Sequence, residues 1–168
     1  MKAFGLLMAV VGAICIAGLI VMLICFSWSF SINCNQYLKR AGDANTIELA
    51  AQNIDTALKY IEFYGLTNGN TGIFLTQPEN DLGFWYVNLK ACQSELAKVK
   101  SETPQLERSN LLMKLRETLL DHNDKGVSVT CPDGISLYPY NIPVFWILVA
   151  VSVFLIIGIC MAVFSDEF

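Results

Sequence analysis

The only histidine and the acidic residues beside it are the first place to look for a chemical site. His122 stands within Asp121–Asp124. A calcium loop needs oxygen ligands at alternate positions, a glycine sixth and a glutamate twelfth. Gly126 is sixth from the start of this segment, but Lys125 takes the fifth place and Pro132 the twelfth. We therefore interpret the segment as a polar helix terminus and expect no metal there.

Other site chemistries are not supported by spacing. One histidine and scattered cysteines give no paired zinc ligands. A nucleophilic serine, threonine or cysteine needs a base beside it, and only His122 or a carboxylate is available. The turn Asn68–Gly72 lacks the lysine and the preceding strand of a phosphate-binding loop. The sequence therefore predicts no cofactor, no metal and no enzymatic activity.

Two of the six cysteines flank the central region. Cys34 follows the first apolar run and Cys131 precedes the second. A Cys34–Cys131 disulfide would close a long loop and join the two ends of the domain, provided that the compartment is oxidising. The alternative, equally open from the sequence, is that Cys34, Cys92 and Cys131 are free thiols.

The elements that must position such groups begin with two membrane spans. Hydrophobic residues make up 54% of the chain and charged residues only 15%, below the roughly 25% of soluble proteins. No charge occurs from Phe4 to Phe26 or from Ile142 to Phe164. Each run is about 23 residues long, and about 20 suffice to cross a bilayer. We predict an uncleaved transmembrane helix at each end.

Small residues recur on the predicted spans. They stand four apart on the first helix, and the second helix repeats the spacing; together they are Gly5, Ala9, Ala13, Ala17, Gly158 and Ala162. Such residues let helix backbones approach closely in lipid. We predict a helix–helix interface there, within one chain or between chains.

Between the spans the pattern is mainly helical. We predict an N-terminal span and exit over 1–32, a water-exposed helical domain over 33–141, and a C-terminal span with a short acidic tail over 142–168. Apolar spacings of three and four, heptad-like at first, predict helices at about 33–64, 81–100 and 104–121. Alternation after residue 126 and the turn Pro132–Gly134 predict a β-hairpin at about 127–138. The fold class is therefore mainly α, a small helical bundle with a short hairpin before the second span.

Three adjacent aromatic residues are the most unusual stretch of the domain. Phe84, Trp85 and Tyr86 point in different directions on a helix, so one small core cannot take all three. One interpretation has Phe84 and Trp85 anchoring the core while Tyr86 covers its edge. The other is a surface that docks a partner or a lipid interface.

Charge patterning limits the partners and the orientation. The net charge is −4, and acidic and basic residues are intermixed, so no patch suggests nucleic acid. Basic residues near the first span are balanced between its two ends. The signal-like start favours cytoplasmic termini and an extracytoplasmic domain, as in a protein of the bacterial inner membrane.

The order span, helical bundle, span resembles the ligand-sensing half of bacterial chemoreceptors and sensor kinases in topology. The leading hypothesis is a non-enzymatic interaction protein that self-assembles or is the accessory subunit of a larger membrane complex. Its partners would be membrane lipid and either a second copy or another membrane protein. The alternatives are a sensor or ligand-binding module without its own output domain, as the resemblance implies, and an oligomeric channel.

Overall fold

The computed structural model describes residues 1–100, 102–123 and 126–164, except for the side chain of Asn123. The predicted acidic tail therefore lies outside the described residues. The predicted fold class is confirmed, because the described chain is mainly helical, with one small antiparallel sheet and a long apolar helix at each end. The elements are α1 Lys2–Phe30, α2 Gln36–Gly42, α3 Ile47–Phe63, α4 Leu82–Ala97, α5 Gln105–Leu119, β1 Leu120–Asn123, β2 Gly126–Val129 and α6 Asn141–Phe164.

The chain divides into two units, Met1–Ser27 with Pro139–Phe168 and Trp28–Tyr138. The first unit holds most of α1 and all of α6. Windows in these two helices reach mean hydropathies of 2.9 and 3.0, and both helices are long and apolar enough to cross a membrane. Their apolar side chains are largely exposed, as expected of helices that face lipid rather than water.

The second unit, which we call the domain, is a helical bundle around α3. A π-helical turn, Ser31–Asn35, joins α1 to α2. The long helix ends at Gly42, and the chain reverses so that α3 packs against α2. α4 packs on another side of α3, and α5 contacts α2. The core is formed mainly by α3 and the helices around it, and its largest fully buried side chains include Leu38, Ile54, Leu58, Ile61, Leu82 and Leu89.

The single helix predicted over 33–64 is wrong at its middle. The stretch from Gly42 to Thr46 breaks it, and Thr46 starts α3 by accepting a hydrogen bond from the Leu49 amide at 3.3 Å. Glycine, asparagine and threonine favour turns and helix caps. The reversal also buries the apolar stripes of α2 and α3 against each other, and this burial outweighs the continuity of the heptad-like pattern.

The predicted antiparallel pair is present, but its strands are β1 and β2 rather than the two halves of about 127–138. The helix terminus expected at His122 is wrong, because α5 ends at Leu119 and His122 lies in β1. β1 pairs with β2 antiparallel, with Leu120 opposite Val129 and His122 opposite Val127. Gly126, the first residue of β2, has a φ of 124°, which glycine adopts at little cost. The residues assigned to the second predicted strand instead form a short 3-10 turn, Ile135–Leu137, after Gly134 in a left-handed conformation.

Candidate functional site

A cleft of about 550 Å³ opens on the domain between α4, the end of α5 and the strands. Its apolar lining includes the buried side chains of Trp85, Leu89 and Leu119. The charged side chains among the described lining residues are all acidic: Glu79, Asp81, Asp121 and Asp133. The cleft therefore combines an apolar floor with a negatively charged rim.

Helix α4 positions one wall of the cleft. Asp81 caps the helix, because its Oδ1 accepts a hydrogen bond from the Phe84 amide at 3.1 Å. One turn of helix then directs Trp85 inward, where its indole Nε1 donates to the Thr130 carbonyl oxygen at 2.9 Å. The Thr130 amide in turn donates to the Leu119 carbonyl oxygen at 2.9 Å. These bonds tie α4, the segment after β2 and the end of α5 together, so the walls are held by backbone as well as side-chain contacts.

The chemistry of the cleft suits binding of positive charge. Among the described lining residues none is lysine, arginine or histidine, so nothing described in the wall neutralises the carboxylates. By contrast, a smaller groove of about 360 Å³ on the same domain has charges of both signs in its lining, from Glu95, Glu107, Lys98 and Lys114. Burial, and to a lesser degree the Asp133 carboxylate, raises the pKa of the Cys131 thiol in the cleft to about 11. This thiol is protonated at neutral pH and is a weak nucleophile.

The three adjacent aromatics are separated by the fold. Trp85 is buried, whereas Phe84 is 66% exposed at the cleft wall. The expectation that both anchor the core is therefore wrong for Phe84, because the first turn of α4 stands at the rim. Tyr86 lies on another face, where its hydroxyl donates to Glu62 Oε1 at 2.8 Å. That hydrogen bond lowers the pKa of Glu62 and raises the pKa of Tyr86.

Cys34 and Cys131 both belong to the packed interior of the domain. Cys34 is fully buried, and Cys131 is half-buried against the same core. In this structure both are free thiols, as is Cys92, which corresponds to the second of the two alternatives that the sequence left open. Both thiols pack as small apolar groups. Burial is the main reason that the pKa of the Cys34 thiol is raised, and Cys131 adds to the effect.

Only part of the predicted small-residue set lies in the contact between α1 and α6. Gly5 and Gly158 meet where α1 and α6 cross, and a Cβ added to Gly5 would lie 2.6 Å from the Ala162 amide nitrogen. A Cβ on Gly158 would lie 2.7 Å from the Ala9 amide nitrogen. Ala13 and Ala17, in contrast, are exposed.

Gly12 is the contact residue that sequence reasoning missed. It is buried against Leu155 of α6, and a Cβ added to it would lie 3.0 Å from the Leu155 Cβ. The spacing of seven from Gly5 to Gly12 follows the face of a helix that packs at a shallow angle, whereas a strict spacing of four drifts around the helix. The spacing of seven between these two glycines was therefore the sequence signal that could have identified Gly12 as a contact residue.

Comparison with known protein families, with curated proteins and with solved structures finds no match for this chain.

The cleft itself was not visible in the sequence. Its acidic rim comes from the segment before α4, from β1 and from the turn after β2, which are far apart along the chain. The usable sequence signal was local only: aromatic residues that closely follow an acidic residue, Asp81, at the predicted start of a helix. Within the described residues, no three histidine, cysteine or acidic side chains come together to hold a metal ion.

Proposed function

We propose that this chain is a non-enzymatic membrane interaction protein, the accessory subunit of a larger membrane complex. In this proposal α1 and α6 span the membrane, and the domain binds a basic segment of a partner protein in the acidic cleft. The observation that carries the proposal is that every charged side chain among the described residues of the cleft is acidic and that these side chains surround an apolar floor. Complementary charge steers association and selects partners, while apolar contacts supply much of the affinity.

The surface beside the cleft favours a protein partner over a small molecule. Phe84 is exposed at the wall, and Val87, one turn further along α4, is 62% exposed. Residues three apart on a helix share a face, so the apolar surface continues beyond the cleft. Exposed apolar patches of this kind mark interaction sites.

A small-molecule sensor is the second candidate. The cleft volume of about 550 Å³ falls within the range of roughly 300–1,000 Å³ of ligand pockets. The occupant would then be an organic cation with an apolar body, such as an amine, and a separate protein would carry the output.

For location we propose the bacterial inner membrane, with both termini cytoplasmic and the domain outside the cytoplasm. The two apolar helices and the signal-like N-terminal sequence support this placement. Protease added to intact spheroplasts would then cut within the domain, whereas inside-out vesicles would protect it. Cleavage only in inside-out vesicles would reverse the orientation.

The test of function is crosslinking in native membranes followed by extraction in mild detergent and mass determination. We expect a reproducible complex with one different protein. An Asp121→Asn/Asp133→Asn variant removes two exposed rim charges without touching the helix cap at Asp81. At the usual strength of exposed ion pairs, losing two of them reduces affinity by about 2- to 30-fold.

The matched control is Glu48→Gln/Glu117→Gln, which removes the same charge from exposed positions outside the cleft lining. This control should retain the partner as the wild type does. Equal loss in both double variants would mean that net charge matters and the cleft does not. Complexes at whole multiples of 18.6 kDa would indicate self-assembly instead of an accessory role. A lone monomer would contradict both the accessory role and self-assembly and would favour the small-molecule sensor.

A further inference from the structure

A charge-free segment of the domain exposes large apolar side chains. From Phe63 to Gln77 the chain has no charged residue. Within it Phe63 is 82% exposed, Phe74 71% and Leu75 73%, with Tyr64 and Ile73 exposed to a lesser degree. A water-exposed surface rarely carries so many adjacent apolar groups without a partner. We call residues 63–77 the apolar loop.

The start of the apolar loop is tied to the exit of the first predicted span. The Tyr60 ring, at the end of α3, contacts the Phe30 ring edge-on with 6.1 Å between centroids. Tyr64 follows against Tyr60 at 4.5 Å. Phe30 is four residues past Phe26, where the first apolar run ends, and four helical residues advance only about 6 Å. The end of α3 therefore contacts the chain about one helical turn past the end of the first apolar run.

The middle of the apolar loop is tied to the entry of the second predicted span. Gly69, with a φ of 100°, packs directly under the Tyr138 hydroxyl, so closely that any side chain would collide. Tyr138 stands three residues before Asn141, the first residue of α6. Both contacts lie within the domain. The apolar loop is thus held beside the two points at which the domain's own chain continues into the spans.

We propose that the apolar loop inserts its exposed aromatic and aliphatic side chains into the interfacial layer of the lipid bilayer. The inference rests on the proposed membrane placement of α1 and α6 and goes beyond it, because it assigns a third membrane contact to the domain. Tyrosine is enriched at this layer, and phenylalanine and leucine side chains of interfacial segments bury their apolar surface there. The partner of the apolar loop is therefore the lipid surface itself. Because the loop carries no charge, this contact does not depend on anionic headgroups.

The experiment uses the full chain reconstituted in phosphatidylcholine vesicles whose acyl chains are brominated near the headgroup end, where bromine quenches nearby tryptophan. Leu75→Trp places a probe in the apolar loop. Leu106→Trp is the matched control, because Leu106 is also 73% exposed. It lies between Gln105 and Arg108, which line a groove with Asn45–Glu48 at the start of α3. That end of α3, a helix of 17 residues, is about 25 Å from the apolar loop.

We expect the emission added by Leu75→Trp to be blue-shifted and mostly lost in brominated vesicles, and the emission added by Leu106→Trp to persist. Equal persistence of both probes would overturn the lipid contact. Alkaline carbonate extraction separates the two levels of the proposal. A protein that stays in the membrane while both probes persist refutes the apolar-loop contact alone, whereas a protein released by carbonate refutes the membrane placement and the loop contact together.

Discussion

Replacement of Gly158 by alanine should force α1 and α6 apart. The new Cβ would lie 2.7 Å from the Ala9 amide nitrogen and 3.1 Å from the Gly5 carbonyl oxygen. Both are backbone atoms, which cannot rotate away. Carbon atoms in ordinary contact are separated by roughly 3.5–4.0 Å, so the helices must open by about 1 Å at this crossing. Gly5→Ala should act alike, because its Cβ meets the backbone of Ala162.

The magnitude follows from comparison with a matched glycine. Gly18 lies on the same helix as Gly5, and a Cβ there would meet no heavy atom within 4 Å. Alanine gains up to about 1 kcal/mol of helix propensity over glycine at either position. Because both substitutions gain the same helix propensity, the difference in free energy of unfolding between Gly158→Ala and Gly18→Ala measures the packing cost alone. Overpacking of a close contact typically costs about 1–3 kcal/mol.

The assay is reversible unfolding of the full chain in mixed micelles with increasing denaturing detergent, followed by circular dichroism. Gly158→Ala should lower the free energy of unfolding by about 1–3 kcal/mol relative to Gly18→Ala. A double variant Gly5→Ala/Gly158→Ala should cost less than the sum, since the first substitution already separates the helices. Equal stability of the two single variants would refute the close crossing and leave these glycines without a packing role.

Three further outcomes are expected from the domain. Trp85→Phe leaves the Thr130 carbonyl without its indole donor, so urea unfolding should show a loss of about 1–3 kcal/mol; an unchanged midpoint would contradict the bond. Tyr86→Phe removes the main cause of the lowered pKa of Glu62, so carboxyl titration by NMR should show that pKa rising. The stability that this depressed pKa contributes is present above the ordinary carboxyl pKa and fades as pH falls through the folded value. The variant should show less of that acid dependence, while the Lys90 ammonium still lowers the pKa of Glu62. Because burial raises the pKa of Cys34 and Cys131, iodoacetamide at pH 8 should modify both thiols far more slowly in the native domain than in urea; equal rates would mean that the core is open.

The sequence was informative where structure is determined locally. Two long charge-free runs predicted α1 and α6 because bilayer thickness sets a length that few soluble helices match. The helix predicted from about residue 81 is present as α4, and its start is fixed locally because the Asp81 carboxylate satisfies a free backbone amide. Both inferences use neighbouring residues only.

Features that depend on contacts between distant residues could not be read in this way. The reversal after Gly42 is favoured by burial of α2 against α3, which a pattern of apolar spacing cannot distinguish from one long helix. The predicted hairpin was placed too far along the chain. The alternation of Val127 and Val129 indicated one strand, but its partner strand begins at Leu120, which looked like the last apolar residue of the preceding helix. The acidic cleft needs three separate segments and was therefore not predictable from any one of them.

The position of the apolar stripe also changes how an interaction function should be sought. Apolar residues spaced three and four apart along α2, α3 and the stretch between them all pack in or against the domain's own core: Tyr37, Ala41, Ala44, Ile47, Ala51, Ile54, Leu58 and Ile61. A stripe whose members are buried or half-buried in this core has little apolar surface left to offer a second copy. The exposed apolar groups of the domain instead include the wall beside the acidic cleft, at Phe84 and Val87, and the apolar loop. If the loop is covered by lipid, the cleft and its wall become the better place to look for a partner, and this is why the proposed function rests on the cleft rather than on coiled-coil pairing.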